Sequence, residues 1–148
     1  MKFTFSWLKD HLNTSANVNE IVDGLNKIGL EVSNLKTYKT DVKNLKVAKI
    51  IDVKKHPNAD KLKICKVLVD EELQIICGAP NVAEGLYVVC AKVGAVLPNK
   101  LKINSSKIRG VVSNGMLCSE KELGLSDDGE GIIVLESNVA DKLGAQIS

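Results

Sequence analysis

The sequence predicts a mainly β fold with some α: a five-stranded barrel preceded by a small helical N-terminal element. Three observations carry this expectation. From about Leu45 onward, apolar residues alternate with polar ones in short runs that stop at Pro, Gly, Asn or Asp. The first forty residues instead follow helical spacing, with residues that cap helices at the expected ends. Finally, 148 residues at 45% hydrophobic can bury roughly 68–70% of the surface an unfolded chain exposes, enough for one sizeable core and against disorder. The expected division is residues 1–40 for the helical and extended element and 41–148 for the barrel.

The N-terminal element opens on an extended Phe3-Thr4-Phe5, after which Ser6 can cap a short helix with Trp7, Leu8 and Leu12 on one face. Asn17 followed by Glu20 starts a second helix, whose apolar face is Ile21, Val22, Leu25 and Ile28 and which Gly29 stops. An extended segment from Leu30 to about Tyr38 follows. Phe3, Phe5 and Trp7 are read as anchors of a local core. Strands are expected in Leu45–Val53, Leu62–Val69, Leu73–Cys77, Leu86–Ala91 and Gly131–Leu135, separated by His56-Pro57-Asn58, Gly78-Ala79-Pro80-Asn81, Leu97-Pro98-Asn99 and Asp127-Asp128-Gly129. Between the last two strands, Lys107 to Gly124 reads as a loop with a basic pair and two permissive glycines, Gly110 and Gly115. A short helix then begins at Ser119, with Glu122 in capping-box position and Gly124 as its stop.

Charge sharpens the functional reading. The net charge is only +2, yet the sign is segregated: zero over residues 1–42, +6 over 43–66, −4 over 67–91, +5 over 92–110 and −5 over 111–148. Two basic blocks, distant in sequence, are expected to meet as one anion-attracting patch. Catalysis is disfavoured. No phosphate-cradling glycine loop is present, and His11 and His56 are read as a helix-surface residue and an exposed-turn residue with no nucleophile beside them. Asp127 and Asp128 read as turn formers, and Cys118 as a structural, partly buried thiol. The four cysteines lack a Cys-x-x-Cys pair, which argues against a zinc site and for a reduced, cytoplasmic protein. The longest apolar run, Leu86 to Leu97, is broken by Lys92 and too short to span a bilayer, so neither export nor membrane attachment is expected.

Polyanion binding remains, and the aromatic content narrows it. Single-strand binders stack bases on aromatic platforms, whereas Tyr87 is the only aromatic residue after Leu45. Affinity would come from phosphate contacts by Lys61, Lys63, Lys107 and Arg109, with Ser113 and Ser119 reaching phosphates or 2′-hydroxyls; this is recognition of RNA shape, with no DNA expected. The runs His56-Pro57-Asn58-Ala59-Asp60-Lys61-Leu62, Cys77-Gly78-Ala79-Pro80-Asn81-Val82 and Arg109-Gly110 with Ser113-Asn114-Gly115-Met116-Leu117-Cys118-Ser119-Glu120 resemble a tRNA-binding domain. The form they resemble is the one near the N-terminus of bacterial phenylalanyl-tRNA synthetase beta subunits. Phe5-Ser6-Trp7-Leu8 and Gly29-Leu30-Glu31-Val32 resemble that subunit's opening, so the similarity extends over nearly the whole chain.

The resemblance implies an oligonucleotide/oligosaccharide-binding (OB) barrel and adds Asn114 and Met116 to the candidate contacts. It also implies a larger ligase with a catalytic alpha subunit that handles ATP, magnesium and phenylalanine, and with further beta domains; the present chain would be a non-catalytic piece without cofactor or metal, ending arbitrarily at Ser148. Its partners would be tRNA, the alpha subunit and the remaining beta domains. Two alternatives are a freestanding homodimeric tRNA-binding, chaperone-like module and a purely structural docking domain.

Overall fold

The computed structural model describes residues 1–37 and 41–147. The chain forms two compact units, Met1–Thr37 and Tyr38–Ser148. The domain boundary expected after residue 40, the end of the extended segment at Tyr38 and the expected end at Ser148 fall outside the described residues.

In the first unit, α1 (Phe5–His11) begins two residues earlier than expected. Thr4, not Ser6, is its N-cap: Thr4 is extended (φ −92°, ψ 155°) and its hydroxyl accepts from the Trp7 amide. Ser6 and Phe5 are thereby drawn into the first turn. The second helix, α2 (Val18–Lys27), carries the full capping box, in which the Asn17 side chain accepts from the Glu20 amide and the Glu20 carboxylate accepts from the Asn17 amide. Gly29 (φ 87°) turns the chain out, with the Leu30 amide donating to Leu25 and the Gly29 amide to Asn26. The Val32 amide is then held by the Asn26 side chain, and no strand forms in the described part of the following segment. Phe3, Trp7 and His11 stack side by side, but no described residue of this unit is buried, and Trp7 is 52% exposed. The expected local aromatic core is therefore a surface cluster: two short helices lack the area to enclose it.

The second unit is built on an antiparallel sheet. Its strands are β1 (Leu45–His56), β2 (Ala59–Leu68), β3 (Glu72–Cys77), β4 (Tyr87–Ala91), β7 (Met116–Leu117) and β8 (Val134–Leu135). They lie in the order β3-β2-β1-β4-β7, with β8 also on β4. A separate hairpin pairs β5 (Ser106–Ile108) with β6 (Val111–Ser113), and a 3-10 helix covers Ser137–Lys142. The long strand β1 pairs with β4 through its first half and with β2 through its second. A register shift between Ile50 and Asp52 breaks the ladder where the strand passes from one partner to the other.

Alternation along β4 explains the core. Val88 and Cys90 face one apolar cluster with Ala48, Ile50, Cys65, Val67 and Ile75, while Val89 and Ala91 face a second with Leu45, Leu97, Ile103, Cys118 and Leu123. A strand buried on both faces needs apolar residues at every position, which Val88-Val89-Cys90-Ala91 supplies. The Asn81 side chain joins the segment after β3 to the segment before β8: its amide donates to the Ile132 carbonyl and accepts from the Ile132 amide, as a neighbouring strand would. Among the described residues, no helix is long and apolar enough to cross a membrane.

The five expected strands are present, but the sheet does not close into a barrel, because β3 and β7 share no ladder. Side chains and a single amide tie β3 instead to β6 and the residue after it. The Ser113 hydroxyl accepts from the Ile76 amide, the Asn114 amide donates to the Gln74 carbonyl, and the Gln74 side chain donates to the Val112 carbonyl. Gly115 (φ 145°) passes so close that a Cβ there would meet the Ala91 carbonyl at 2.9 Å.

Candidate nucleic-acid interface

Two turns, about fifty residues apart in sequence, meet at one end of the second unit. The first joins β1 to β2: His56 pairs with Ala59 across Pro57-Asn58, and Pro57 presets the backbone for the bend. The second joins β5 to β6. Ile108 pairs with Val111 across Arg109 (φ 48°) and Gly110 (φ 89°), so both central residues are left-handed, the geometry that matches the twist of a two-residue hairpin. Lys107 to Ser113 is therefore a hairpin and not the loop expected from its glycines.

Three hydrogen bonds organise the junction. His56 Nε2 lies 3.0 Å from the Ile108 carbonyl, the Asn58 side-chain amide donates to the Arg109 carbonyl at 3.3 Å, and the Asn58 backbone amide donates to His56 Nδ1 at 3.0 Å. His56, expected in an exposed turn, is only 5% exposed because the hairpin covers it. Two consecutive carbonyls at the tip of one hairpin are thus gripped by the turn of the other.

The exposed cations Lys61, Lys107 and Arg109 flank this junction, and Lys55 joins them from the last turn of β1. Among the described residues, none of these four forms an ion pair. The exposed Asp60 lies beside Lys61 at the start of β2. Lys63 differs: it is half-buried and its ammonium donates to the Val82 carbonyl. Asn114 is half-exposed and accepts from the Ser105 hydroxyl.

The remaining expected contacts have other surroundings. Ser113 is 2% exposed, with its hydroxyl accepting from Ile76 and donating to the Gly115 carbonyl. Ser119 is 4% exposed, and both its amide and its hydroxyl donate to the Glu122 carboxylate. A carboxylate at that position repels phosphate. The expected helix after Ser119 is a single turn, closed by the Leu125 amide on Glu120 and by Gly124 (φ 67°), since so few residues between two caps cannot propagate a helix. Met116 and Ser119 line a groove of about 260 Å³ with Ile76, Glu122 and Ile132. Tyr87, the one aromatic residue among the described residues of the second unit, is half-buried beneath the Lys49 ammonium, 5.4 Å from the ring centre.

Sequence reasoning missed Lys55 as a contributor and His56 and Asn58 as the joint. The Lys54-Lys55-His56 run was a usable signal for the first. Nothing local signals the others, because their partners lie at residues 108 and 109.

The family described as "Putative tRNA binding domain" matches residues 45–143. The chain is 48% identical over 142 residues to the phenylalanine–tRNA ligase beta subunit of Desulfotalea psychrophila, covering 95% of this chain and 17% of the relative. It is 53% identical over 137 residues to that of Rickettsia bellii, covering 91% and 16% respectively. Against the beta subunit of Prochlorococcus marinus it is 44% identical over 144 residues, covering 95% and 18%. The chain thus spans less than a fifth of the length of these relatives.

Proposed function

Because this chain belongs to the tRNA-binding domain family, we propose that it is the tRNA-contacting, non-catalytic part of a phenylalanine–tRNA ligase beta subunit. In this reading Lys61, Lys107 and Arg109, with Lys55, engage the phosphates of folded tRNA, and Asn114 lends a polar contact beside them. Ser113, Met116 and Ser119 support the strands that present those groups, and Lys63 contributes charge near the patch while bonded to Val82. The observation that carries the reading is the junction itself: two family motif segments are hydrogen-bonded tip to tip, so their cations share one end of the unit. Contacts of this kind follow backbone shape and carry little base information.

Aminoacylation, with its ATP and magnesium, is assigned to the catalytic alpha subunit, and the present unit adds an auxiliary tRNA contact and a place in the subunit architecture. The length of the similar beta subunits favours this over a freestanding dimeric module.

The test is a titration of folded tRNA at several salt concentrations. Lys107→Ala and Arg109→Ala are each expected to weaken binding across tRNA sequences alike and to lower the salt slope by about 1. Unchanged slopes would remove these residues from the interface, and no measurable affinity in the parent chain would favour a structural docking role.

A further inference from the structure

The hydrogen bonds at His56 leave it one protonation state. A backbone amide can only donate, so Nδ1, which faces the Asn58 amide, must present a lone pair. The single ring proton therefore sits on Nε2 and is donated to the Ile108 carbonyl, which can only accept. A second proton would have to enter at Nδ1, directly against the Asn58 N–H. That would break the bond orienting Asn58, whose side chain holds the Arg109 carbonyl.

We propose that His56 is a positioning residue acting as a proton-sensitive latch: neutral, it locks the two hairpin tips into one anion-binding patch; doubly protonated, it releases Asn58 and the Arg109 turn. The inference rests on the tRNA-contact reading for its functional consequence, but not for the latch itself. The charged groups on the elements that meet at His56 are Lys46, Lys49, Asp52, Lys54 and Lys55 on β1, Asp60, Lys61, Lys63 and Lys66 on β2, and Lys107 and Arg109 on the hairpin. Nine cations stand against two acids, and Asp52 is already paired with Lys54, so among these groups Asp60 is the one carboxylate left to favour an added imidazolium.

The sign of the pH effect separates the latch from simple charge. An imidazolium placed beside a basic patch adds positive charge and should tighten polyanion binding; the latch predicts the opposite. Affinity of the 148-residue chain for folded tRNA at fixed salt is expected to fall about tenfold on acidification. His56→Gln keeps a donor toward Ile108 without titrating, and its affinity should stay flat as the pH falls. His56→Asn keeps an acceptor for Asn58 but cannot reach Ile108, and should bind weakly throughout.

A second readout needs no RNA. Amide NMR shifts of Arg109, Gly110 and Val111 in the parent chain should follow the imidazole titration, and in His56→Gln they should stay still while the rest of the spectrum remains folded. Tighter binding on acidification, or hairpin shifts indifferent to pH, overturns the latch. If the hairpin shifts titrate but no tRNA binds at any pH, the latch stands and the tRNA-contact reading falls.

Discussion

Arg109 occupies a left-handed backbone position (φ 48°) that side chains other than glycine and asparagine avoid, at a cost of roughly 1–2 kcal/mol. Strain of this kind persists where the surroundings fix it, here through Asn58 on the Arg109 carbonyl and His56 on the preceding one. Arg109→Asn is therefore expected to leave stability unchanged or raise it by up to about 1 kcal/mol, since asparagine tolerates this geometry, while it weakens tRNA binding. Urea unfolding alongside the tRNA titration checks both halves; a variant that loses stability and keeps affinity would contradict the assignment. His56 marks the limit of what sequence reveals at this scale. Its neighbours Pro57 and Asn58 announce a turn, and turns are ordinarily exposed; its burial depends on a hairpin 52 residues further on.

At the scale of elements, β1 to β3 were legible from alternation, and β4 and β8 from short continuous apolar runs bounded by turn residues. The β5–β6 hairpin escaped, as strands of three residues give alternation too few positions to register and their glycines read as loop. The N-terminal cap moved to Thr4 for a comparable reason: Thr4 and Ser6 are both capping types, and only the geometry selects between them. Closure was the other departure. At the open side of the sheet, Ser113 at the end of β6 accepts a hydrogen bond from the Ile76 amide of β3, so Ser113→Ala leaves a buried donor unsatisfied. The expected loss is about 1–3 kcal/mol, read from chemical denaturation, together with faster hydrogen exchange at the Ile76 amide. Exchange at Ile76 as slow as in the parent would show the seam to be held by something else.

For the molecule as a whole, charge segregation in the sequence motivated the proposed basic patch, while the open sheet and the surface position of the Trp7 cluster emerged only in three dimensions. The thiols report how tightly the second unit is packed. Burial pushes Cys65, Cys90 and Cys118 up to about 12, and raises half-buried Cys77 as well. An aromatic disulfide reagent at mildly alkaline pH should therefore label Cys77 first, and the other three only on unfolding. The linkage has a definite sign. Above the ordinary thiol value of 9.0 the unfolded chain sheds protons that the folded chain keeps until about 12, so these groups reduce stability as pH rises through that window and leave it untouched below. Rapid labelling of all four in the folded chain would contradict the packing described.

The Asn81 amide stands in for a peptide unit against Ile132, donating with nitrogen and accepting with oxygen. Spontaneous hydrolysis of that side chain, the ordinary ageing of asparagine, would exchange a single NH2 for an oxygen and turn an attraction into a face-off between two acceptors. Asn81→Asp mimics the aged form and should unfold about 1–3 kcal/mol more easily in urea at neutral pH. An old molecule of this protein would then be set apart from a fresh one by a single oxygen, on the residue beside the Val82 carbonyl that holds the Lys63 ammonium.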